Sequence, residues 1–193
     1  MIRRPPRSTL DRSSAASDVY KRQLNIHTIE VIPEIFNRNK INFSYLKDVN
    51  WHLGTSFDIL PEILPNLKGV TLFWMDAHFP GADFGFSSYG DEKDDDKRLP
   101  LKKELETIKE NRDTTNDVFV IDDLRIYEDG PFESGNWDER SKYGGDGIEF
   151  IENIFDKTHY IVRSYNAQGS IILFPVEKNI DDEVNNLIVG DVE

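Results

Sequence analysis

The sequence predicts an α/β fold, a parallel sheet with helical crossovers that closes on a C-terminal antiparallel pair of strands. Three observations lead there. Phe73-Trp74-Met75-Asp76-Ala77-His78 and Val118-Phe119-Val120-Ile121-Asp122-Asp123 are short apolar runs that end abruptly in carboxylates, the pattern of a buried parallel strand whose C-terminal end opens into a site. Between such runs lie segments with apolar residues at helical spacing, so that strands and helices alternate. The last two apolar runs are separated only by Asn166-Ala167-Gln168-Gly169, a connection short enough to demand an antiparallel hairpin.

Taken in order, residues 24–30 alternate towards a strand that stops at Glu30, and Pro33 suits the first turn of a helix with Ile35, Phe36 and Phe43 as its buried stripe. A second strand over 49–53 leads to Gly54-Thr55-Ser56. Asp58 is then expected to cap a helix with Pro61 in its first turn and Ile59, Leu60, Ile63, Leu64 and Leu67 on one side. Gly69 ends it, and the strand over 70–75 follows, with Trp74 read as core. A long loop over 79–98, rich in Gly, Ser and acids, has the length of a lid or of a solvated insertion. Leu101, Leu105 and Ile108 mark a helix over 99–111 that feeds the strand over 118–121. A second polar loop covers 125–145. Asp146 and Glu149 have the spacing of a capping box for a helix carrying Ile148, Ile151 and Phe155. The hairpin strands are expected over 158–165 and 170–174.

Residues 1–23 resemble a translated DNA-sequencing adapter along their whole length, ending in Ser17-Asp18-Val19-Tyr20-Lys21-Arg22-Gln23. The alternative for this basic, Ser-rich stretch is a transit peptide or a nucleic-acid arm. On the adapter reading the segment is non-native and disordered, and the native polypeptide begins near Leu24. The remaining chain divides into one domain over 24–178 and an acidic tail over 179–193. Six Lys/Arg against two Asp/Glu give residues 1–23 a net +4, so the other residues account for −17 beneath the whole chain's −13. Such acidity disfavours nucleic acid and anionic membranes as partners and suits a cytoplasmic protein. With no cysteine, metal ligands are restricted to oxygen and imidazole. No apolar run reaches the roughly 20 residues that span a bilayer.

Ligands of open α/β sheets collect outside the carboxyl ends of the strands, where Asp76, Asp122 and Asp123 are expected to converge with His78 beside them. With an acid ending the first strand, Gly-Thr-Ser after the second, Asp-Ala-His after the third and Asp-Asp after the fourth, residues 26–174 resemble the class I S-adenosylmethionine-dependent methyltransferases, from that family's second strand to its end. More narrowly the chain is similar to the metal-dependent O-methyltransferases of the catechol and macrocin types. The resemblance implies a Rossmann-like methyltransferase sheet lacking its first strand, with S-adenosylmethionine as cofactor and Mg²⁺ as metal. It assigns Glu30 to the ribose hydroxyls, Thr55 and Ser56 to the turn near the adenine, and Asp76, Asp122 and Asp123 to the metal. Asp76 thus serves cofactor and metal together and is also a catalytic candidate; His78, which has no firm counterpart in the family, is the other, orienting a substrate hydroxyl or taking its proton.

Two departures accompany the resemblance. Thr55 stands where many members carry an acid. The family's first strand and glycine-rich turn, which cradle the methionine part of the cofactor and lie centrally in the sheet, would precede Leu24, so the 193-residue chain is expected to bind the cofactor weakly and to be inactive. Structural alternatives stay open: the aspartates could cap turns, His78 could make a structural hydrogen bond, and Arg125 could pair with a neighbouring acid or hold an anionic substrate. A methyltransferase-like module that does not methylate, or a glycosyltransferase-type protein of polysaccharide or secondary metabolism, is the alternative function. The manganese ureohydrolase motif, Asp-Ala-His-x-Asp, fails because Pro80 holds the position of its second acid. The substrate, a small molecule or a sugar, and the oligomeric state are not legible.

Overall fold

The computed structural model describes residues 25–176. The adapter-like residues, the domain limits at 24 and 178 and the acidic tail lie outside them. Six strands form two sheets among the described residues. Strands β1 (Ile26–Glu30) and β2 (Val49–Leu53) pair in parallel, and β3 (Leu72–Met75), β4 (Val118–Ile121), β5 (His159–Ser164) and β6 (Ser170–Pro175) form a second sheet in the order β3-β4-β6-β5. β3 and β4 are parallel, while β6 is antiparallel to both β4 and β5. The expected α/β class and the C-terminal hairpin are therefore present. β1 and β3 each keep an unpaired edge among the described residues, and the sheet is interrupted between them.

Helices supply the crossovers: α1 (Pro33–Asn42), α2 (Ser56–Ile63), α3 (Asp95–Arg98), α4 (Leu101–Asn111), α5 (Arg140–Tyr143) and α6 (Glu149–Phe155). One face of the larger sheet is fully packed. Phe73, Met75, Phe119, Ile121, Ile171 and Leu173 join Leu105 and Ile108 of α4 and Ile151 and Phe155 of α6 in one core, with Phe73 stacked on Phe119 at 4.9 Å between ring centroids. The opposite face is also apolar, because alternation along a strand sends every second residue there. Leu72 and Trp74 are both 62% exposed and Tyr160 53%, while Val120, Val162, Ile172 and Phe174 are half-buried. Trp74 is thus not core: the run it belongs to is apolar on both faces, and among the described residues the covered face is that of Phe73 and Met75.

Several local expectations are corrected. Phe43 follows the end of α1 and is exposed, since the helix stops before the stripe reaches it. Asp58 lies inside the first turn of α2, whose N-cap is Thr55, and accepts from the Thr55 hydroxyl at 2.5 Å. Pro61 sits in the middle of that helix. Ile148, not Asp146, is the N-cap of α6, without a side-chain cap bond. Arg125 donates to the Gln168 side chain, and among the described residues no acid pairs with it.

Candidate functional site

The parallel pairing of Met75 with Ile121 brings the ends of β3 and β4 level. The Asp122 N–H donates to the Met75 carbonyl at 3.0 Å, so Asp76 and Asp122 leave the sheet side by side. Asp123 then turns sharply, with φ +52°, a left-handed conformation that aspartate tolerates better than most residues. This turn carries its carboxylate back to His78. His78 Nε2 donates to Asp123 Oδ2 at 2.8 Å and lies 3.6 Å from Asp76 Oδ1. Burial alone would push the imidazole down; the hydrogen bonds and charges of Asp123 and Asp76 outweigh it and raise His78 to about 9. At neutral pH it is an imidazolium held between two carboxylates, and its buried Nδ1 has no partner among the described residues.

Asp122 is pushed up by burial and by the Asp123 and Asp76 charges, against the Asp123 N–H that donates to its Oδ1 at 3.0 Å. Asp76, His78 and Asp123 each offer a ligand atom within 4.8 Å of the others. Carboxylate oxygens suit a hard divalent cation, so these residues fit one once the imidazolium gives up its place. The geometric cluster contains His78 where the resemblance has Asp122, which instead lines the adjoining cavity.

That cavity has room for about 10 Å³ and lies among Asp76, His78, Glu104, Asp122 and Tyr127, space for roughly one water. Glu104 is not among the residues the sequence singles out. Glu104 is 2% exposed, and its Oε2 has no partner among the described residues; burial raises it to about 7 against the opposing effect of the nearby Ser56 hydroxyl. A signal for it existed. Position 104 stands three after Leu101 and four before Ile108, inside the apolar stripe of α4, where an acid is out of place unless it has a task. Tyr127, on the turn after Asp123, is kept in its neutral phenol form by burial, with the Glu104 and Asp123 charges adding to the effect.

The two long loops meet beside His78. Phe79 adopts φ +39°, and its N–H donates to the Arg98 carbonyl at 2.8 Å, closing the first loop at its base. Its ring lies 5.0 Å from that of Tyr89 and 5.3 Å from that of Trp137, while Tyr89 and Trp137 are 5.3 Å apart. The aromatic residues of both loops therefore pack on one another as a wall next to the acids.

The expected cofactor residues lie on the smaller sheet and on α2. Glu30 ends β1, and its Oε1 accepts from the Ile32 N–H at 2.7 Å; the second oxygen retains lone pairs that suit a ribose hydroxyl. The Thr55 hydroxyl is engaged by Asp58, whereas Ser56 opens α2 close to Glu104. No helix among the described residues is long and apolar enough to cross a membrane.

Comparison with models of protein families and with curated proteins returns no match. Among solved structures the chain is similar to the SAH-bound methyltransferase PaMTH1 of Podospora anserina, at 13% identity, covering 83% of this chain and 64% of that one with a TM-score of 0.49. The chain thus spans less than two thirds of that protein's length.

Proposed function

We propose that residues 25–176 form the greater part of an S-adenosylmethionine-dependent methyltransferase domain that methylates an oxygen with the help of a divalent cation, Mg²⁺ first, and that in the complete domain a further parallel strand with a glycine-rich turn pairs between β1 and β3. The observation that carries this reading is the pair Asp76 and Asp122, each directly following one of two adjacent parallel strands, with Asp123 and His78 against them. The break in the sheet between β1 and β3 supports it too, because a further parallel strand there would pair both open edges.

When bound, S-adenosylmethionine supplies an electrophilic methyl group and the cation lowers the pKa of an acceptor hydroxyl. Glu30 would orient the ribose, and Ser56 would stand by the adenine. Asp76, Asp122 and Asp123 would hold the cation through hard oxygens. His78 keeps a proton at Nε2; after losing it, the ring could accept one from the acceptor hydroxyl. Tyr89 and Trp137, packed on the buried Phe79, would suit the flat face of a ring or sugar. The net charge of the chain supports a cytoplasmic enzyme acting on a small molecule or sugar, with no nucleic-acid or membrane partner.

Calorimetry with S-adenosylmethionine tests the reading. The 193-residue chain should bind weakly, and the same chain carrying the coding sequence upstream of Leu24 should bind tightly. Tight binding by the short form, or none by the long form, would overturn it. Turnover of a nucleotide-sugar without S-adenosylmethionine would favour a glycosyltransferase-type protein.

A further inference from the structure

We propose that Glu104 is a ligand of the divalent cation, reaching from the core into the cavity beside Asp76 and Asp122. This deepens the function proposed above and rests on its cation site. Glu104 is on α4, far in sequence from either acidic turn, and is placed there by helical spacing: Leu101, Leu105 and Ile108 bury the same face of the helix. Glu104 is 2% exposed, its Oε2 has no hydrogen-bond partner among the described residues, and it lines the same space of about 10 Å³ as Asp76, His78 and Asp122. A buried carboxyl without a partner is costly and is retained where something meets it. What meets it must be small, since the cavity holds about one water, and must tolerate several carboxylates at once. A divalent cation, directly or through one bound water, satisfies both conditions. Structural duty explains the group less well. Ser56 lies near enough to favour the charged carboxylate, yet Oε2 has no hydrogen-bond partner among the described residues; a glutamine would serve a purely structural role without a buried ionisable group.

The test is Mn²⁺ binding to the full 193-residue chain, followed by calorimetry and by the paramagnetic signal of free Mn²⁺, for the parent protein and for Glu104→Gln, Glu104→Asp and Glu110→Gln. Glu110, exposed near the end of the same helix, is the control. Glu104→Gln should weaken Mn²⁺ binding at least 10-fold, Glu104→Asp should weaken it less, and Glu110→Gln should leave it unchanged. In metal-free buffer at pH 8, Glu104→Gln should melt at the same temperature as the parent or higher, since it removes an unpaired buried acid. A structural role predicts the reverse, a lower melting temperature with unchanged affinity, and that result would overturn the proposal while leaving the cation site standing. Absence of Mn²⁺ binding by the parent protein would overturn both the proposal and the cation part of the proposed function.

Discussion

Asp123 Oδ2 stands 2.8 Å from His78 Nε2, and this contact ties the turn after β4 to the turn after β3. The imidazole is buried yet charged, because two carboxylates compensate the lost solvation. Asp123→Asn should therefore lower the His78 pKa from about 9 towards its ordinary 6.5, followed by NMR titration of the ring protons. The same change should cost about 1.5–3 kcal/mol at pH 7, the range for hydrogen bonds to charged groups. An unchanged titration would contradict the account. With a folded pKa raised above the unfolded value, the stability contributed by this histidine is complete below pH 6.5 and is lost as pH rises through about 9.

Glu104 changes stability in the same sense at lower pH. Its carboxyl is raised from 4.5 to about 7, so the folded state holds the proton more tightly than the unfolded one. The stabilisation is complete below pH 4.5 and disappears through about pH 7. The shift corresponds to something on the order of 3 kcal/mol. Urea denaturation of Glu104→Gln across that range should give a flatter pH profile than the parent protein, and two parallel profiles would refute this.

Away from the site, Arg112 fastens the start of β3 to the loop before β4. Its Nε and Nη2 donate to Asp117 at 2.6 and 2.9 Å, and Nη1 donates to the Leu67 carbonyl at 2.8 Å. Asp117 is 1% exposed and also accepts from the Thr71 N–H at 2.8 Å. Arg112→Ala leaves that carboxylate buried without its cation and should cost about 3–5 kcal/mol, measured by denaturant unfolding. Arg112→Lys should recover only part, because an ammonium cannot reproduce the planar fork. A loss below about 1 kcal/mol in the alanine variant would show that Thr71 alone satisfies Asp117.

The two faces of the larger sheet should respond to mutation in opposite ways. Phe119→Ala, on the covered face, should destabilise by about 3–5 kcal/mol. Trp74→Lys, one register position away on the open face, should change stability by no more than about 0.5 kcal/mol and should reduce self-association in sedimentation experiments, since contiguous exposed apolar surface drives association. Strong destabilisation by Trp74→Lys would mean that the face is covered.

The parts of this architecture that were legible in the sequence are those in which a local pattern and the tertiary structure agree. β2 and β4 were placed to the residue, and the hairpin followed from a connection too short for any other geometry. The stripe of α4 is visible in Leu101, Leu105 and Ile108, and the same spacing places Glu104 on the buried face, a consequence the sequence reading does not draw. Trp74 was misassigned because an apolar run of six residues does not say which faces will be covered. The cap of α6 was misassigned because the spacing of Asp146 and Glu149 is necessary for a capping box and not sufficient. At the site, adjacency of Asp76 and Asp122 followed from parallel pairing alone. The contact between His78 and Asp123 depends on a left-handed turn at Asp123, which has no signature in a non-glycine residue.

The most direct measurement is transfer of a labelled methyl group from S-adenosylmethionine to a panel of vicinal-diol and sugar acceptors, using the chain with its upstream coding sequence, with Mg²⁺ and with EDTA. The account predicts transfer that requires the metal and falls at least 100-fold, about 2.7 kcal/mol in the barrier, in Asp122→Asn. Transfer unaffected by EDTA and by Asp122→Asn, or no transfer to any acceptor by a form that binds S-adenosylmethionine, would contradict it.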